Sequence, residues 1–242
     1  AAPEKPRFFY CIPNFQNPTG KTMSLAKRRG VLALARRYGV PVLEDDPYGE
    51  LRFAGERVPS IKSLDDGNNV IYAASFSKIL CPGMRLAFCA CDEKLAKSLV
   101  VAKQGSDVHT NVWAQRVCAE LLRTMDMDAH IRAVSAMYGR KAALMAQLLQ
   151  EKCPQVSFEM PQGGMFLWAT LPPVVPVPEF VQACLDEKLA VIPGSAFYVD
   201  ASAPCQGVRL NFSTPSEDAI CRGVDIMARV LRKLFGQSVC SV

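Results

Sequence analysis

Residues 7–46 read RFFYCIPNFQNPTGKTMSLAKRRGVLALARRYGVPVLEDD. The apolar and aromatic run at 7–12 predicts a first strand, which a proline closes before a polar loop at 14–21. Apolar residues lie on one face of an amphipathic helix over 25–38, and an apolar run at 40–43 predicts a second strand that ends in carboxylates. Two buried strands with a helix between them indicate a mostly parallel sheet with covering helices.

The same rules extend outward along the chain. Ser24 is a plausible N-cap for the first helix, and Gly39 supplies its C-terminal stop. We expect an α/β domain over 1–128, followed by a connecting helix and a smaller α+β domain over 129–242. The remaining predicted elements are strands at 70–74, 85–91, 156–159, 165–170, 190–192 and 207–212, and helices at 92–103, 113–123, 129–152, 178–187 and 216–235.

Composition excludes several classes of function. The chain has 242 residues, of which 50% are hydrophobic and 21% charged, as in an ordinary globular protein. No apolar run of about 20 residues lacks a charge, so we expect no membrane segment. The net charge of +5 is spread out, and clusters such as KRR at 27–29 suit a solvated helix face better than a nucleic-acid site. Ten scattered cysteines without C-x-x-C, and two histidines, indicate no metal site, no disulfide framework and a reducing cytoplasm.

Polar residues follow the ends of the predicted strands, where ligands of parallel sheets bind. After the third strand, Lys78 offers an amine that can form an imine with a carbonyl, beside the hydroxyls of Ser75 and Ser77. After the second strand, Asp45 could pair with a protonated pyridine nitrogen. Its neighbour Asp46 is interpreted as a solvated loop acid. The motif Ser-x-Ser-Lys alone is also typical of an ordinary strand end with an exposed lysine.

Four short motifs together resemble one enzyme family. Residues 17–20 (NPTG), 45–48 (DDPY), 75–78 (SFSK) and 82–85 (PGMR) have the order and approximate spacing found in class I/II aminotransferases of fold type I, which use pyridoxal 5'-phosphate (PLP). The segments FQNPTG and EDDPY are most similar to the branch of 2-aminoadipate and kynurenine aminotransferases. The aminotransferase-like domain of MocR regulators is also similar.

The resemblance implies a role for each matching residue. Lys78 would form the Schiff base, Asp45 would pair with the pyridinium nitrogen, and Tyr48 would complete the catalytic set. Arg209, in the run VRLNF, would bind the substrate carboxylate, together with Asn17. The residues implied to bind PLP are Asn17, Asp45, Tyr48, Ser75, Ser77, Lys78 and Arg85.

The implied reaction is transamination between an amino acid and a 2-oxo acid, with 2-oxoglutarate as the expected acceptor, in a cytoplasmic homodimer of amino-acid metabolism. The match covers only the second half of the family's length, so we expect this chain alone to bind PLP poorly or to be inactive. Three alternatives stay open: the effector domain of a MocR/GntR-type transcription regulator, a related PLP lyase, and a fragment that folds without catalysis.

Overall fold

A computed structural model describes residues 4–239, with side chains to residue 235. The chain divides into two compact units. Unit 1 comprises the residues up to Asn14 together with Lys21–Val134, and unit 2 comprises Phe15–Gly20 together with the residues from Ser135 onward. Within the described residues, no helix is both long and apolar enough to cross a membrane.

Unit 1 is built on a four-stranded sheet in the order β1-β2-β3-β4. The first three strands are parallel, and β4 is antiparallel to β3. The elements are β1 (Phe9–Cys11), α1 (Leu25–Tyr38), β2 (Val42–Asp45), β3 (Val70–Ser75), β4 (Ala87–Ala90), α2 (Glu93–Ser106), α3 (Val112–Thr124) and the start of α4 (Met127–Lys152).

Helix α1 has the two caps expected from its sequence. The Ser24 hydroxyl accepts a hydrogen bond from the Lys27 amide, and Gly39 takes the left-handed conformation with φ 58°. Leu32 and Ala35 of α1 pack against one face of the sheet in a core with Cys11, Val42, Ile61 and Val70. That packing fixes which face of the sheet α1 covers.

The strand register determines which sheet face each polar side chain of the strands lies on. Tyr10 pairs with Leu43, and Asp45 pairs with Ala73. Because side chains alternate along a strand, Tyr10 and Asp45 share the sheet face opposite α1, and Ser75 lies on that face too. Two of the candidate polar residues, Asp45 and Ser75, thus lie on the face that α1 leaves open.

Unit 2 has an antiparallel sheet in the order β5-β6-β8-β7. Its core side chains are fully buried, among them Phe180, Phe212 and Leu231. The elements are the remainder of α4, β5 (Ser157–Phe158), β6 (Phe166–Thr170), α5 (Val177–Asp186), β7 (Ile192–Pro193), β8 (Gly207–Asn211) and α6 (Glu217–Val239).

The predicted α/β class with a smaller α+β part is confirmed, and most element boundaries differ from the predicted ones by one to four residues, as two examples show. Strand β2 continues through Glu44 and Asp45, because the buried Glu44 carboxylate accepts the amides of Ile61 and Lys62, each at 2.8 Å. Helix α4 begins two residues earlier than expected, at Met127. The Asp126 carboxylate accepts the Ala129 amide at 2.9 Å and so caps that turn.

Candidate functional site

Asp45 ends β2 with its carboxylate on the open face of the unit 1 sheet. The Tyr10 hydroxyl, on the neighbouring strand, donates to its Oδ2 atom at 2.7 Å. Burial raises the pKa of Tyr10, and the hydrogen bond to Asp45 and its negative charge raise it further. The tyrosine is therefore a protonated donor at physiological pH.

Lys78 lies in a turn that directly follows β3. The turn is braced by the Ser75 hydroxyl, which accepts the Ser77 amide at 3.0 Å, and by the Phe76 amide, which donates to the Leu86 carbonyl at 3.1 Å. These contacts join the turn to the chain that leads into β4. The lysine itself is half-buried.

Arg85 follows a single 3-10 turn, Pro82–Met84, in the left-handed conformation with φ 55°. Its guanidinium donates to the Pro82 carbonyl at 3.0 Å and is exposed. Tyr48, by contrast, is only 6% exposed in the loop that follows β2.

Asp46 is not the solvated acid that its sequence context suggested. Its carboxylate accepts the Asn14 side-chain amide at 3.0 Å and the Tyr72 hydroxyl at 3.1 Å. Burial, followed by the charge and hydrogen bond of Asp46, raises the pKa of Tyr72 above its usual range. The acid is a structural hydrogen-bond acceptor, because β3 and the loop after β1 each direct a polar group toward it.

Arg28 supports this network from α1 and is completely buried. It donates to the Asn14 side chain at 2.6 Å and to the carbonyls of Pro13, Met23 and Pro59 at 3.0–3.1 Å. Burial lowers its pKa, against the opposing charges of Glu44 and other acids. The expectation that the cationic cluster at 27–29 is a solvated face is wrong for this residue.

In unit 2, Arg209 projects from β8 and is held on three sides. Its guanidinium donates to the Asn17 side-chain oxygen at 2.7 Å. It also lies over the rings of Phe166 and Phe197, with 4.4 and 5.1 Å from its central carbon to the ring centroids. Cation–π contacts and one hydrogen bond orient the planar fork of this arginine, the group that suits a carboxylate.

The candidate residues thus fall into two sets, one in each unit. Asp45, Tyr48, Ser75, Ser77, Lys78 and Arg85 belong to unit 1, whereas Asn17 and Arg209 belong to unit 2 and contact each other. Asn17 follows the first strand in sequence, but it groups with unit 2 and not with the sheet of unit 1.

The unit 1 set has the donor chemistry that PLP needs. An amine at Lys78 can bond to its aldehyde carbon, a carboxylate at Asp45 can pair with its ring nitrogen, and the hydroxyls and guanidinium can bind its phosphate. Among the described residues there is no cluster of three or more potential metal ligands. The residues present fit the organic cofactor.

Sequence reasoning missed Tyr10 and Arg28. The parallel register that sets Tyr10 beside Asp45 leaves no mark in a single sequence. For Arg28 a signal existed, since it precedes the buried Leu32 and Ala35 by four and seven residues and so shares their helix face.

Comparisons with known proteins agree with this chemistry. Residues 2–226 match the family described as aminotransferase class I and II. The 2-aminoadipate transaminase of Thermus thermophilus is 37% identical over 96% of this chain and 59% of its own length. A crystal structure of a kynurenine aminotransferase from Pyrococcus horikoshii, in complex with PMP, superposes with a TM-score of 0.90 at 36% identity, over 95% of this chain and 57% of that one.

The chain spans a little over half the length of these relatives. An uncharacterized HTH-type transcriptional regulator of Bacillus subtilis, YisV, is also similar, at 28% identity over 95% of this chain and 47% of its own length. The similarity to a regulator domain, expected from the motifs, is therefore real. Its lower identity does not favour a regulator over an aminotransferase.

Proposed function

Since the chain belongs to the class I and II aminotransferases, we propose that it carries the lysine-bearing part of a PLP-dependent aminotransferase. The observation that carries the proposal is in unit 1. There β2 ends in the Asp45 carboxylate, and the adjacent parallel strand β3 leads directly into the braced turn with Lys78. An amine and a carboxylate follow the carboxyl ends of neighbouring strands, where ligands of such sheets bind.

When bound, PLP withdraws electrons from the substrate's α-carbon and so makes its proton acidic. Lys78 would hold the cofactor as a Schiff base and, once released, would move that proton as general base and acid. Asp45 would keep the ring nitrogen protonated, and Tyr48 would donate to the phenolic oxygen. The phosphate would be bound by Ser75, Ser77 and Arg85.

Arg209 would bind the α-carboxylate of the substrate. The support is its restrained guanidinium, fixed by Asn17 and two aromatic rings. With its oxygen accepting from Arg209, the Asn17 side chain keeps its NH₂ group as the donor for a ligand. We propose both residues as the substrate-binding pair.

The proposed substrates are an amino acid, with aminoadipate, kynurenine and aromatic or branched side chains as first candidates, and 2-oxoglutarate as acceptor. We further propose a homodimer that works in a reducing compartment such as the cytoplasm. The cysteines support the reducing compartment, since the nine in the described residues are all free thiols.

Reductive trapping tests the cofactor lysine even if binding is weak. The chain is incubated with substoichiometric PLP, reduced with borohydride and mapped by mass spectrometry. We expect the pyridoxyl label on Lys78, its loss in Lys78→Ala and its retention in Lys97→Ala, a change at an exposed lysine of α2. Label spread evenly over the lysines would contradict the proposal.

The reaction type is tested separately. PLP, kynurenine or 2-aminoadipate, and 2-oxoglutarate are added to the full-length protein, and glutamate is measured beside ammonia and pyruvate. Transamination predicts Lys78-dependent glutamate, whereas ammonia and pyruvate from an amino acid with a β-leaving group would indicate a lyase instead.

A further inference from the structure

We propose that Tyr10 is a positioning residue for Asp45: its hydroxyl holds one carboxylate oxygen so that the other faces the ring nitrogen of PLP. The inference rests on the proposed function and deepens it. None of the motifs that identified the site includes Tyr10.

The geometry is set by β1, at one edge of the unit 1 sheet, and by its neighbour β2. Tyr10 in β1 pairs with Leu43 in β2, and Asp45 lies two residues further on, on the same sheet face. A tyrosine side chain is long enough to cover that distance, and its hydroxyl meets Oδ2 of Asp45 at 2.7 Å. This is the length of a good charge-assisted O–H···O hydrogen bond.

The bond restricts a carboxylate that is otherwise fixed only through its backbone. Asp45 is the last residue of β2, so the strand sets its Cα position but not its side-chain rotation. Among the side chains that the structure describes, those of residues 4–235, Tyr10 is the one in hydrogen-bonding contact with this carboxylate. With Oδ2 engaged, Oδ1 is the oxygen that can accept an N–H from a ligand.

Tyr10 contributes little to the packing of the core. The side chain is 49% exposed, and the adjacent Cys11, not Tyr10, enters the core against α1. Burial, followed by the hydrogen bond to Asp45 and the charge of Asp45, raises the pKa of the phenol, which keeps the donor proton in place. The main contact of Tyr10 is therefore the hydrogen bond from its hydroxyl to Asp45, and its ring adds little to the core.

The test uses the borohydride-reduced adduct at Lys78, in which the cofactor ring is covalently attached and weak affinity does not matter. The protonation constant of its pyridine nitrogen is measured by ¹⁵N NMR during a pH titration. We expect Asp45→Asn to lower this constant most. Tyr10→Phe should lower it by about threefold to tenfold, the range for one hydrogen bond, and Tyr38→Phe, the same change at an exposed tyrosine of α1, should leave it unchanged.

Tyr10→Leu removes the hydroxyl with a different side chain and should give the same shift, so either variant decides the matter if the other fails to fold. A constant equal to wild type in both folded variants would overturn the role of Tyr10 while the role of Asp45 stands. If Asp45→Asn also matches wild type, or no adduct forms at Lys78, the proposed function fails and the role of Tyr10 fails with it.

Discussion

At the scale of single residues, the buried Arg28 shows how a charge is accommodated inside unit 1. Its guanidinium reaches carbonyls at both ends of the loop 14–21, those of Pro13 and Met23, and also that of Pro59. The Met23 amide closes the same loop by donating to the Pro13 carbonyl at 2.8 Å. Since each donor of Arg28 meets an acceptor, the cost of burying the charge is largely offset.

Replacing Arg28 by methionine should lower the free energy of unfolding by at least about 3 kcal/mol, because several buried acceptors would lose their donor. The same change at Arg29, an exposed neighbour on α1, should stay within about 0.5 kcal/mol. Urea denaturation followed by circular dichroism measures both. Equal effects of the two substitutions would show that the network is not stabilising.

Some residues of the candidate site could be predicted from the sequence, and others could not. Lys78, Asp45 and Arg209 belong to short motifs whose chemistry is local, so their types and order predict them. Tyr10 owes its position to pairing between strands that are more than 30 residues apart in sequence. Such register is set by packing along the whole sheet, which a single strand does not record.

At the scale of elements, strand β8 depends on two glycines that make room for an indole. A methyl group at Gly207 would lie 1.9 Å from the Trp168 ring, and one at Gly194 would lie 2.6 Å from it. The ring also meets Phe197 edge-on. Trp168 therefore fills the space above Gly207, beside the residues that hold Arg209.

Gly207→Ala should destabilise the protein by about 1–3 kcal/mol through overpacking against Trp168. Gly30→Ala is the matched control, because no atom lies within 4 Å of the added methyl and α1 should gain up to about 1 kcal/mol in helix propensity. Thermal unfolding of both variants measures the difference. A stabilising Gly207→Ala would mean that the indole can move aside at little cost.

The order of strands and helices was predictable because apolar periodicity and capping residues are local. What the sequence did not reveal is that residues 15–20 group with unit 2. Their placement depends on close packing against residues that are distant in sequence. A methyl group at Gly164 would lie 2.5 Å from Phe15, and one at Gly20 would lie 2.8 Å from the Phe166 carbonyl.

At the scale of the whole molecule, burial is distributed unevenly. Helix α2 contains no buried residue, and α3 buries only Cys118. Helix α6 buries Ile220, Val224 and Leu231 within unit 2, along with other apolar residues of the same face. Since local opening costs less where little apolar surface is buried, the two units should differ in local stability.

Hydrogen exchange followed by mass spectrometry should find the amides of α2 exchanging at least about tenfold faster than those of 220–234 in α6, a difference of about 1.4 kcal/mol in opening free energy. The comparison needs no substitution, because peptides from both helices come from one digest. Equal protection would show that α2 is stabilised by contacts other than apolar burial.

The chain has two tryptophans, and the structure places one in each unit. Trp113 in α3 is 77% exposed, whereas Trp168 is set among Gly194, Gly207 and Phe197. Their emission should therefore differ in colour and in quenching by iodide, with Trp113 the redder and more accessible fluorophore. With single Trp→Phe variants, the unfolding of each unit can be followed separately by the intrinsic fluorescence of its remaining tryptophan, without an attached dye.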